Sequence, residues 1–225
     1  MPRSASKRAT RGLLLFFLFL TFIIVLRHRF ESPKTDHRDL LNEHVRPEKY
    51  PVPPEKRIRL PRTRKPTIPS IQHKFPPETS KAKTVRIARL AEVRDAFEHA
   101  WRGYKKSAWA QDELRPLAGG FKTPFCGWAA TLVDSLDTLL IMGLNDEFAL
   151  ALEEVKKIDF KYKEGCQINL FETTIRHLGG LLAAWDMSGG KHPVLMEKAV
   201  ELAEVLYAGF DTPNRMPAPH YYWSW

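Results

Sequence analysis

The rhythm of apolar positions changes three times along this chain. An apolar run comes first: Leu13–Leu26 is interrupted only by Thr21 and is flanked by Arg3, Lys7, Arg8 and Arg11 before it and Arg27 and Arg29 after it. Residues 31–80 then carry no periodicity and hold ten of the seventeen prolines, with no Gly, Cys or Trp. From Lys83 onward a helical rhythm sets in. Ile87, Leu90, Phe97, Trp101, Tyr104 and Ala108 recur at steps of three, four or their sum, which predicts an amphipathic helix. Pro116 and Gly119–Gly120 break it, and "FKTPFCGW" reads as a loop. "ATLVDSLDTLLIMGL" predicts a second helix ending near Gly143, and "NDEFALALEEVKKI" a third with Asn145 as its N-cap. "INLFETTIRHLGGLLAAWD", residues 168–186, predicts a fourth. Pro193 opens a fifth, with Leu195, Ala199, Leu202 and Leu206 along one stripe. No stretch reads as a strand. The expectation is an all-α domain of helical hairpins over residues 84–225.

The second and fourth predicted helices are apolar on nearly every side, as helices of an inner layer are. Their few charges are therefore informative. Asp134 and Asp137 lie three apart in one, and Glu172 and Arg176 four apart in the other. On an exposed helix the last two would form an ordinary ion pair worth roughly 0.2–0.5 kcal/mol. On a helix flanked by Phe171, Ile175, Leu178, Leu181 and Leu182 an unpaired charge is costly, which points instead to a polar pocket lined by carboxylates.

Charge and composition divide the chain in the same places. Residues 1–30 carry +6, residues 31–83 another +6, and residues 84–225 carry −3. The overall charge of +9 thus belongs to the extension, and the mildly acidic folded part argues against a surface built for nucleic-acid phosphates; no nucleic-acid partner is expected. Residues 1–11 read as a cytosolic basic tail and residues 12–26 as a signal-anchor transmembrane segment. Fourteen helical residues span only about 21 Å, less than the roughly 27 Å of a thin bilayer, a mismatch that snorkelling of Arg11 and Arg27 and local thinning can absorb. A cleaved signal peptide is the rival reading, but "VLRHRFESP" offers no small-residue cleavage site. Residues 27–83 read as a proline-rich basic stem, disordered for want of a core. Cys126 and Cys166 leave one disulfide or two free thiols equally open, and no Cys/His cluster has zinc spacing.

Four blocks in order, "AWRGYKKSAWAQDELRPLAGG", "GWAATLVDSLDTLLIMGLNDEFALAL", "NLFETTIRHLGGLLAAWDMSGG" and "LMEKAVELAEVLYAGFDTPNRMP", resemble the N-terminal part of class I α-1,2-mannosidases, glycoside hydrolase family 47. The resemblance implies the N-terminal part of an (α/α)7 barrel, preceded here by the anchor and stem. It implies inverting, calcium-dependent hydrolysis of terminal α-1,2-linked mannose from high-mannose N-glycans on glycoproteins. Glu172 matches the family's catalytic acid, Arg176 the arginine beside it, and Asp134 and Asp137 acidic positions that line the substrate pocket. The family's candidate base and its calcium-binding threonine are expected beyond Trp225, which makes this chain read as truncated and its barrel as incomplete. No metal ligand is assigned within it, and the family disulfide is not transferred to Cys126 and Cys166. A mannosidase-like lectin recognising high-mannose glycans in quality control is the alternative. The expected setting is the Golgi or endoplasmic reticulum membrane, single-pass type II, with the domain in the lumen.

Overall fold

The computed structural model describes residues 48–58, 69, 71–160 and 165–222. The basic tail 1–11, the expected anchor 12–26 and residues 27–47, 59–68 and 70 of the expected stem lie outside them. Among the described residues no helix is long and apolar enough to cross a membrane. One short part of the stem is not a free tether. The backbone N–H groups of Lys49 and Tyr50 donate to the Asp211 carboxylate at 2.7 and 2.8 Å, and Arg215 pairs with Glu48 at 3.0 Å. Proline-rich composition excludes a core of the segment's own, but not docking of its backbone onto another element.

Helix α1 (Ser80–Ala108) starts at Thr79, whose side chain accepts from the Ala82 N–H at 3.2 Å. Only the last three of the six stripe residues are buried: Trp101, Tyr104 and Ala108 are inside, whereas Ile87 and Leu90 are about half exposed at 51% and 53%. Two short strands follow, β1 (Glu113–Leu114) and β2 (Phe121–Lys122), paired antiparallel with Leu114 opposite Phe121. The predicted second helix is two helices, α2 (Ala130–Asp134) and α3 (Leu136–Ile141). The break is at Ser135, whose hydroxyl donates to the Thr131 carbonyl at 2.6 Å while its N–H closes a tighter turn on Leu132. Helix α4 (Asn145–Val155) is not capped by Asn145, which is its first residue; Leu144 precedes it and makes no side-chain cap.

The predicted fourth helix begins with a strand. β3 (Gln167–Asn169) pairs antiparallel with β4 (His220–Tyr222), Ile168 opposite Tyr221. Helix α5 (Leu170–Thr173) follows directly, then a π-helical turn over Thr174–Leu178, then α6 (Gly179–Met187). Helix α7 (Pro193–Tyr207) has proline at its first position and buries Leu195, Ala199, Leu202 and Leu206, as its pattern predicts, and Val205 besides. The two small sheets correct the expectation of no strand. Two- and three-residue strands are too short to show a period of two, and β3 finds its partner about fifty residues on.

The core lies between α2–α3, α6 and α7, around Leu132, Leu136, Leu181, Leu195 and Leu202. Phe160, from the stretch after α4, is also fully buried. On the α5–α6 segment Phe171, Ile175 and Leu182 are exposed among the described residues. α6 meets α2 at Gly180, where an added Cβ would lie 2.8 Å from the Val133 carbonyl oxygen and 3.1 Å from its Cγ1. Gly180→Ala is therefore expected to destabilise the fold by about 1–3 kcal/mol. Gly179→Ala, whose added Cβ would meet nothing nearer than the Thr174 carbonyl oxygen at 3.7 Å, is expected to be neutral or to stabilise by a few tenths up to about 1 kcal/mol. Denaturant midpoints of the two variants decide the matter; equal midpoints would show that the α2–α6 contact is not tight.

Candidate active site

Asn169, the last residue of β3, caps α5: its side-chain oxygen accepts from the Glu172 N–H at 3.0 Å. This fixes Glu172 three residues into the helix, half-buried. The π-helical turn begins two residues later, and its extra residue per turn spoils the regular stacking of positions four apart. Glu172 and Arg176 consequently form no ion pair with each other. Among the described residues the Glu172 carboxylate accepts no hydrogen bond and joins no ion pair.

Arg176 is held from three sides instead. Its Nε donates to Asp134 Oδ2 at 2.8 Å, and its Nη2 lies 2.7 Å from the same oxygen as an ion pair. Nη1 lies 3.6 Å from Glu113 Oε1, and the guanidinium carbon sits 4.3 Å from the centre of the Phe125 ring. Asp134 is the last residue of α2 and lies 42 positions away in sequence. Burial raises its pKa, the hydrogen bond and charge of Arg176 oppose that rise, and the negative charges of Asp137 and Glu172 add to it. Of the four residues singled out from the sequence, the structure thus brings Asp134 and Arg176 into contact. Asp137 and Glu172 stand close enough to act on Asp134 through their charge. The Asp137 carboxylate also accepts from the Thr138 hydroxyl at 3.3 Å.

Three residues near the site had no local signal. Glu113 sits in a two-residue strand, Phe125 in a loop, and His177 in the π-helical turn. His177 is completely buried against the rings of Phe125, Trp128 and Phe160, with no hydrogen-bond partner for either ring nitrogen among the described residues. Desolvation, reinforced by the Arg176 charge, lowers its pKa to about 4. The neutral ring is the native form, so the stability it contributes is complete above its unfolded pKa of about 6.5 and is lost as pH falls towards about 4. Unfolding midpoints measured from pH 7 to pH 4 should fall more steeply for the natural protein than for His177→Leu. Parallel curves would contradict this.

Cys126 and Cys166 form a disulfide with a Cα–Cα distance of 5.4 Å, joining the loop before α2 to the residue just before β3. Among the described residues no group of three or more His, Cys, Asp or Glu side chains is placed to hold a metal ion. The calcium implied by the resemblance therefore finds no donor set among them.

The family model of Glycosyl hydrolase family 47 matches residues 96–224. A mannosyl-oligosaccharide 1,2-alpha-mannosidase of Arabidopsis thaliana is 45% identical over 57% of this chain and 22% of its own length. The endoplasmic reticulum mannosyl-oligosaccharide 1,2-alpha-mannosidase of Homo sapiens is 39% identical over 74% of this chain and 23% of its own. Among solved structures, an alpha-1,2-mannosidase from Trichoderma reesei superposes with a TM-score of 0.57 at 32% identity, over 60% of this chain and 30% of that one. The chain thus spans about a quarter of the length of the relatives it matches.

Proposed function

The chain belongs to glycosyl hydrolase family 47, and from that premise we propose that it carries the acid side of an α-1,2-mannosidase site, acting on terminal α-1,2-linked mannose of high-mannose N-glycans. Helices α2–α3 and α5–α6 are then inner helices of an (α/α)7 barrel, and hydrolysis inverts the anomeric centre. An inverting glycosidase needs one carboxylic acid to protonate the leaving oxygen and a second carboxylate, across the sugar, to activate water. Such an acid must keep its oxygens free for substrate. The observation that carries the reading is the division of labour at the site: Arg176 spends its charge on Asp134 and Glu113, and Glu172 is left without a partner among the described residues. The test is proton NMR of mannose released from α-1,2-mannobiose by the full-length protein with calcium. The β-anomer should appear first. The α-anomer first would refute inversion, and glycan binding without release would favour a lectin.

For the setting we propose a single-pass type II protein anchored through residues 12–26, with the domain in the lumen of the Golgi or endoplasmic reticulum and calcium as cofactor. The Cys126–Cys166 disulfide supports an oxidising compartment. The membrane fraction should retain the protein through carbonate extraction, and intact vesicles should protect the domain from protease. A soluble form beginning near Arg27 would show a cleaved signal instead.

A further inference from the structure

The turn before α2 is bent into a conformation that few residues favour. Within four positions, Cys126, Gly127 and Ala129 have φ of 62°, 68° and 56°, and two of these carry a Cβ. Left-handed backbone costs roughly 1–2 kcal/mol for a residue with a Cβ, so something must hold the turn in place. That holder is Asp112. Its carboxylate is completely buried, and Oδ2 accepts from the N–H groups of Phe125 at 2.7 Å and Gly127 at 2.8 Å, while Oδ1 accepts from Ala130 at 3.3 Å. Its carbonyl accepts from the Thr131 hydroxyl at 2.6 Å and the Thr131 N–H at 3.0 Å. One residue therefore ties together the end of α1's following loop, the strained turn and the first turn of α2.

All three contacts of Arg176 start from elements that Asp112 ties together. Phe125, whose ring backs the guanidinium, is held by its own N–H. Asp134 ends the five-residue helix whose first residue is held by Oδ1. Glu113 is the next residue in the chain. We propose that Asp112 is a positioning residue for the site: it never meets substrate, and it sets the place of Arg176 by placing Phe125, Asp134 and Glu113 together. The proposal rests on the reading that Glu172 and Arg176 form the site of mannose release.

The test uses Asp112→Asn, Phe125→Leu and the double variant in the full-length protein. Asn keeps the size of the side chain but exchanges one acceptor for a donor facing N–H groups. Phe125→Leu leaves every Asp112 hydrogen bond intact and removes only the ring. Misplacement by an ångström costs up to about 100-fold in rate, so each single variant should lower kcat by about 10- to 100-fold with KM changed less. Because both act through Arg176, the double variant should be no worse than the weaker single variant, where independent effects would multiply. A resonance of the Arg176 Nε–H shielded by the Phe125 ring should lose that shift in both single variants. Multiplying effects, a normal kcat in the folded fraction of Asp112→Asn, or an unchanged Arg176 signal and kcat in Phe125→Leu would each overturn the proposal. If Asp112→Asn does not fold, the Phe125→Leu measurements decide. Glu172→Gln separates the two levels: full release by that variant would defeat the reading of the site, whereas loss of release there beside a normal Asp112→Asn defeats only this inference.

Discussion

Glu172→Gln in the full-length protein should fold normally and release mannose about 10²–10⁴-fold more slowly, the usual contribution of a general acid. The change removes a transferable proton and little else. The cap of α5 uses the backbone N–H of residue 172 and the side chain of Asn169, so it survives the substitution. No ion pair is lost among the described residues, because Arg176 is already paired with Asp134 and Glu113. Stability should therefore move by less than about 0.5 kcal/mol, as for a partly exposed position without a structural partner. Asp134→Asn makes the opposite case. It leaves the guanidinium of Arg176 without its closest anion and should lower both stability and turnover. Single-turnover mannose release and a denaturant titration on each purified variant give the four numbers. Near-normal release by Glu172→Gln would remove Glu172 from the proposed role, whatever the titration showed.

Reducing the disulfide, or replacing both cysteines with serine, should lower the unfolding free energy by roughly 2–4 kcal/mol. The bridge closes a loop of 40 residues, long enough for its opening to return considerable freedom to the unfolded chain. It also joins the two segments that lead into the site. Cys126 follows Phe125 directly, and Cys166 stands three residues before the Asn169 cap. The loss should appear first as increased proteolysis at residues 121–129, with the helices still present by circular dichroism. The same denaturant midpoint with and without reductant would show that Asp112 and the core hold this loop unaided.

Much of the helical part of this fold is legible in the order of residues. Helix α7 begins and buries its stripe as its proline and leucines require. Helices α1 and α4 also run where their periods place them, each within a few residues. Each misplaced boundary has its own cause. Ser135 ends a helix because its hydroxyl and N–H find carbonyls of the preceding turn. Residues 167–169 leave the helix because residues 220–222 supply a strand partner. Asn145 looks like a cap by residue type, yet Leu144 occupies that place after the turn at Gly143.

At the site, residue type alone singles out Asp134, Asp137, Glu172 and Arg176, since charges on otherwise apolar segments stand out in any linear reading. Which charge meets which is a different kind of fact. Spacing along a regular helix would give Arg176 to Glu172, but a π-helical turn intervenes and Asp134 reaches it from 42 positions away. The roles of Asp112, Glu113, Phe125 and His177 emerge only from that long-range packing, as does the choice between free thiols and a disulfide for Cys126 and Cys166. Periodicity and capping are local, carried by neighbours within about one or two helical turns, so the order of residues determines them. Partner choice among buried charges is a competition between contacts far apart in sequence, and it is decided only when the segments pack and exclude water.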